Sequence, residues 1–265
     1  MRIHKPALLI ACIITLLACN SKNSKLTITP SNEAEITTEA APLSKAQILL
    51  DRVVKAHGGD LYNSAYYSFV FRGNTYHFKN DGPNYEYAKN TKDGNSVTKD
   101  LLVNGAFSRT LDGDPVTLSG KKLKSAAEAL NSVIYFVTLP HKLQDAAVQK
   151  TYLGVTSIKG EHYAILGITF DREGGGEDFD DAYHYWIHTE TNKIDYLAYN
   201  FNVDKGGVRF RSAYNRSVVD GITFQDYINY KAERDTPLLD LPLLYEAGEL
   251  QELSKIETEH IRSLK

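Results

Sequence analysis

The sequence predicts an α+β fold built on one large, curled antiparallel sheet of about ten strands, with two or three helices packed on one of its faces. Two patterns point there. Period-two apolar runs separated by Gly, Asn and Asp turns fill most of residues 66–231. Helical spacing occurs in only a few places, so strands and helices do not alternate as a parallel βαβ fold requires. A sheet of that many strands normally curls towards a barrel.

The N-terminus stands outside this fold. Arg2 and Lys5 precede an apolar run, Ala7 to Ala18, that is too short to span a bilayer at ~20 residues. The run stops at Leu16-Leu17-Ala18-Cys19. This resembles the lipobox of bacterial lipoproteins, in which cleavage leaves the cysteine as a lipid-bearing N-terminus. The other reading is an ordinary secretory peptide or a short anchor. The resemblance implies a signal peptide over 1–18, lipidation at Cys19 and a Gram-negative cell-envelope location. Asn20, where Asp would favour the inner membrane, implies an outer-membrane lipoprotein facing the periplasm. Residues 19–42 are rich in Ser, Thr, Asn, Glu and Pro and read as a flexible tether. Residues 43–265 then form a single domain.

Loss of residues 1–18 removes Arg2 and Lys5 and takes the net charge from −3 to −5. An acidic chain is a poor nucleic-acid partner, because phosphates demand a basic surface. Of two cysteines, Cys12 leaves with the signal and Cys19 carries lipid, so the domain has no disulfide, thiol nucleophile or thiolate metal site.

Ser44-Lys45-Ala46-Gln47 is a capping box, and Ile48, Leu49, Val53 and Ala56 follow at helical spacing until Gly58-Gly59, which predicts a helix over 44–57. Strands follow at 66–72, 75–79, 85–89, 97–103 and 106–111, with turns at Gly73-Asn74, Asn104-Gly105 and Asp112-Gly113. Residues 121–139 are too densely apolar for a one-faced strand and read as a buried helix stopped before Pro140. Strands return at 147–153, 162–170, 182–188, 194–201, 208–214 and 222–231. The leucine-rich stretch after Pro237 leads to an amphipathic segment, 250–261, with helical spacing.

The candidate chemistry gathers around Gly174-Gly175-Gly176-Glu177-Asp178-Phe179-Asp180-Asp181 and the hairpin after it. Glu177, Asp178, Asp180 and Asp181 suit a hard cation such as calcium, though not at EF-hand spacing; a solvated loop tip collects the same residues. His184, Trp186 and His188 alternate onto one strand face. At ~7 Å between neighbours one strand cannot chelate a metal alone, so His162 or Asp226 would have to join; the alternative is a lining of amphipathic side chains. Arg209 and Arg211 share a face and suit a carboxylate or phosphate head group, or an ion-pair set with the acidic loop. Arg72 is a further candidate of that kind. Asp226, among apolar neighbours, needs a partner, of which an arginine on the next strand is the simplest. His57 at a helix C-terminus is expected to favour its charged form. Catalytic serine, phosphate-loop and zinc-helix motifs are absent from the sequence.

The order of lipobox, helix, antiparallel meander, central helix and further meander is similar to the half-barrel of LolA-, LolB- and LppX-like envelope lipoproteins. That resemblance implies helices set in a concave face over a hydrophobic cavity. A closer resemblance, to a family of uncharacterised exported lipoproteins, rests on several stretches. They include His57-Gly58-Gly59, Phe69-Val70-Phe71-Arg72, Asn131-Ser132-Val133-Ile134-Tyr135-Phe136, Tyr185-Trp186-Ile187, Tyr196-Leu197-Ala198-Tyr199 and Arg209-Phe210-Arg211. It implies a domain of unknown function and supplies no catalytic residues. The expected role is a non-enzymatic envelope lipoprotein carrying a hydrophobic or amphipathic ligand at His184, Trp186, Arg209, Arg211, Asp226 and Arg72. The alternatives are a metal-dependent hydrolase centred on 177–181 and His184, and an interaction protein using a tyrosine-rich face.

Overall fold

The helix that opens the fold is set by its cap. In the computed structural model, which describes residues 42–173, 181–202 and 206–265, Ser44 accepts the Gln47 N–H at 3.1 Å and α1 runs over Lys45–His57. Leu49, Leu50, Val53 and Val54 form its buried stripe. Gly58 ends it at φ 135°, with Ile222 so close that a Cβ would lie 3.2 Å from its Cα. Only glycine suits both that conformation and that approach.

A meander of six strands follows: β1 (Tyr66–Phe71), β2 (Asn74–Asp81), β3 (Asn84–Asp93), β4 (Ser96–Val103), β5 (Ala106–Leu111) and β6 (Asp114–Val116). The turn between β1 and β2 is Arg72-Gly73, one residue earlier than expected, and both residues have positive φ. After α2 (Gly120–Val137) come β7 (Val148–Ile158), β8 (Glu161–Phe170), β9 (Tyr183–His188), β10 (Ile194–Phe201), β11 (Gly207–Val219) and β12 (Ile222–Ala232). A short helix, α3 (Leu241–Glu246), leads to β13 (Gln251–Ile256) and β14 (Glu259–Ser263).

The strands lie in two seven-stranded antiparallel sheets, ordered β14-β1-β2-β3-β4-β5-β6 and β13-β12-β11-β10-β9-β8-β7. The curled antiparallel architecture is the expected one, with fourteen strands in two sheets among the described residues in place of about ten in one. The added strands include the C-terminal segment expected to be helical. Its Leu250, Leu253 and Ile256 do recur at helical spacing, but the backbone pairs with β12 and then with β1. Completing the edges of two sheets outweighs local periodicity here. Glu257 and Thr258 hand the chain from one sheet to the other, and Asp226 holds that handover. Its carboxylate accepts the Thr258 N–H at 2.8 Å and the Asn215 amide at 2.6 Å. The partner is thus a backbone N–H and an amide, not the expected arginine.

Three packed clusters follow from strand parity. α2 sets Leu130 and Ile134 against Tyr67, Phe69, Phe78, Tyr87 and Leu102 of the first sheet. α1 covers one face of the second sheet, over Leu166, Ile187, Leu197 and Tyr227. The opposite face of that sheet carries Trp186, Phe210, Tyr196 and Ala198 beneath Leu238 and Leu241. Helices therefore cover both faces of the second sheet, where the sequence led us to expect one.

Candidate functional site

The strands β9, β10 and β11 bring most of the candidate residues together, and then divide them. Register pairs Ala198 with His184 and Phe210, and Leu197 with Tyr185 and Arg211. Because side chains alternate across a strand, His184 and Trp186 belong to the face under α3, while Arg209 and Arg211 belong to the opposite, concave face. One ligand cannot touch both sets through an intact sheet.

On the α3 side Trp186 is fully buried, with its indole 5.8 Å from the Phe210 ring and 6.1 Å from His184. The Trp186 Nε1 and His184 Nδ1 atoms are buried without a hydrogen-bond partner among the described residues. Burial lowers the His184 pKa, which leaves its ring neutral. His188 faces Glu161 at 3.3 Å, and His162 meets Ser157 at 3.0 Å. Among the described residues no three His, Asp or Glu side chains converge as a metal site. Glu177, Asp178 and Asp180 lie outside the described residues, as does Cys19; Asp181 is buried.

On the concave side Arg211 is half-buried between two rings, 4.3 Å from Phe136 of α2 and 5.1 Å from Tyr199. Its Nη2 donates to the Tyr199 hydroxyl at 2.9 Å and its Nε to the Asn229 side-chain oxygen at 3.5 Å. Tyr185 and Tyr227 lie within electrostatic reach of the guanidinium. Burial pushes the Tyr185 pKa well up and that of Tyr227 to about 12, so both stay protonated donors. Arg209, one row along, stacks over Phe201 at 4.8 Å and donates to the Val208 carbonyl at 3.0 Å. Gly207 makes room for that stack, since a Cβ there would meet the Phe201 ring at 2.9 Å. Arg72 is exposed at its hairpin tip, 5.1 Å over Phe71.

The end of α2 closes this wall with aromatic contacts: Phe136 lies 5.0 Å from Tyr227, and Tyr135 lies 6.4 Å from Phe170. Tyr135, Phe136, Phe170, Tyr183 and Tyr199 are all only partly buried. Two shallow clefts of about 270 and 220 Å³ lie elsewhere, at Asn200–Leu238 and at Phe107–Leu123. Sequence reasoning found Arg211 but not its companions Phe136, Tyr199 and Asn229. The available signal was parity, since Tyr183, Tyr185 and Tyr199 share the face that Arg211 takes by register.

His57 departs from expectation. It is 1% exposed, and its Nδ1 meets the Val53 carbonyl at 2.9 Å. Burial takes its pKa down to about 3, helped by Lys193 and Arg216, so desolvation outweighs the helix terminus and the ring is neutral.

Residues 52–258 match the family of unknown function DUF6503. The chain belongs to the DUF6503 family. No curated protein matches it. Among solved structures, this DUF6503 chain is similar to a LolA superfamily protein of Nitrosomonas europaea, at 12% identity and a TM-score of 0.49. That likeness covers 83% of this chain and 94% of the other. A DUF1329 family protein of Desulfovibrio piger is 12% identical with a TM-score of 0.40, covering 83% and 93%. The lipoprotein LppX of Mycobacterium tuberculosis is 12% identical with a TM-score of 0.25, covering 62% and 91%.

Proposed function

We propose that this chain is an exported lipoprotein, anchored through Cys19 to the periplasmic side of the outer membrane, that holds a hydrophobic or amphipathic ligand on its concave face. The seam between α2 and the second sheet carries the reading. The seam leaves five aromatic side chains partly buried, of which Phe136 and Tyr199 flank one guanidinium. A mixed wall of rings with few polar groups is the usual lining of a small-molecule site. Phe136 packs on Tyr227 and Tyr135 on Phe170, so a ligand enters by displacing the end of α2.

The test is native mass spectrometry of the full chain purified from bacterial envelopes. The expected result is a near-stoichiometric apolar or amphipathic species, on a chain that has lost residues 1–18 and carries acyl chains on Cys19. A chain that carries nothing above background, in any preparation, overturns the ligand reading. An unlipidated Cys19 overturns the anchor.

A further inference from the structure

The charge on the concave wall is unbalanced. Arg211 is half-buried, and its described contacts are two aromatic rings, a tyrosine hydroxyl and an amide oxygen, with no carboxylate among them. A guanidinium offers five N–H donors. Two are used, by Tyr199 and Asn229, which leaves three without an acceptor among the described residues. The guanidinium is half-buried between apolar rings and reaches solvent at its edge, so its remaining N–H groups are open to an acceptor that enters the seam. The Tyr199 hydroxyl accepts from Arg211, so its own proton is available to a further acceptor. Tyr185 and Tyr227 stand close by as protonated hydroxyls. Phe136 and Tyr199 flank the guanidinium at 4.3 and 5.1 Å, and the N–H groups that Tyr199 and Asn229 leave unused remain to be paired.

We infer that the ligand has an anionic head, a carboxylate or a phosphate, which the edge of Arg211 and the Tyr199 hydroxyl hold at the mouth of the seam. This deepens the proposed function and rests on it. The apolar part of the ligand lies along Phe136, Tyr135 and Phe170, and Arg209 lies one row further out on the same face. A planar fork binds either oxyanion in two-pronged fashion, which a lysine does not reproduce.

Palmitate, hexadecyl phosphate and the neutral methyl palmitate separate the possibilities when each displaces a fluorescent fatty acid from the full chain. The expected result is that one or both anions bind about tenfold or more tighter than the ester. Whichever anion is preferred identifies the head. Arg211→Gln abolishes that preference, with a much larger loss for the anions than for the ester, and Arg211→Lys restores part of it. Equal binding of ester and anions, or an equal loss of all three in Arg211→Gln, overturns the anionic head and leaves the carrier reading standing. If no probe binds, the ester included, both fall.

Discussion

The two faces of β9, β10 and β11 share one hydrogen-bonded ladder and have opposite characters. The face under α3 holds Trp186, Ala198, Phe210 and Leu241 fully buried, with His184, Tyr230 and Tyr245 partly buried around them. The concave face, at the same strand positions one residue over, carries Tyr183, Tyr199 and Arg211, which remain partly open. Period-two alternation gives each face its own set of side chains, and on the concave face the core under α1 continues into a partly buried row. The contrast teaches that burial, and not the mere presence of histidine or tryptophan, sorts these candidates. Trp186 is structural by position, and Arg211 is the residue whose chemistry is left incomplete.

Truncation on each face gives a large expected difference. Trp186→Ala removes a fully buried indole and costs ~3–5 kcal/mol, whereas Tyr199→Ala on the open face costs about 1 kcal/mol. Urea unfolding measures both, and equal costs would break the comparison. Next comes pH, because α1 carries a neutral His57 into the closed part of the concave face. The folded pKa of about 3 lies below the ordinary histidine value of 6.5. As pH falls through 6.5 the unfolded chain takes up a proton that the folded chain refuses, so stability drops from pH 6.5 down to about 3. Each pH unit in that window removes up to about 1.4 kcal/mol. His57→Asn, which keeps a donor towards Val53, flattens this slope in the wild-type-minus-variant difference. An unchanged slope would show His57 to be accessible. The smallest effect belongs to Asp226, which joins the sheets. Asp226→Ala strands the Thr258 N–H and costs about 1–3 kcal/mol, with faster hydrogen exchange expected at Thr258 while β9 and β10 stay protected.

The elements with strong local signals were legible in the sequence. The capping box placed α1 within one residue, and Pro140 bounded α2. The strands from β1 to β12 were visible wherever turn residues bracketed an alternating run; β6, three residues long and without such a run, was not. The C-terminal pair β13 and β14 was misread because its apolar spacing is helical and only pairing with distant strands makes it extended. The candidate site was legible in its members and not in its grouping. Which face Arg211 takes relative to His184 depends on register across β9, β10 and β11, which no single strand records. Phe136 comes from a helix far away in sequence, so its stacking on Arg211 leaves no local trace. The His57 reading failed because a helix-terminus argument carries no information on burial, and burial decided the sign.

Fluorine NMR of the full chain with 3-fluorotyrosine incorporated, titrated with hexadecyl phosphate, tests the division between the two faces most directly. The account predicts that the resonances of Tyr183, Tyr185 and Tyr199 shift while those of Tyr163 and Tyr196 stay in place. Movement confined to Tyr163 and Tyr196, or no movement on either face, would contradict it.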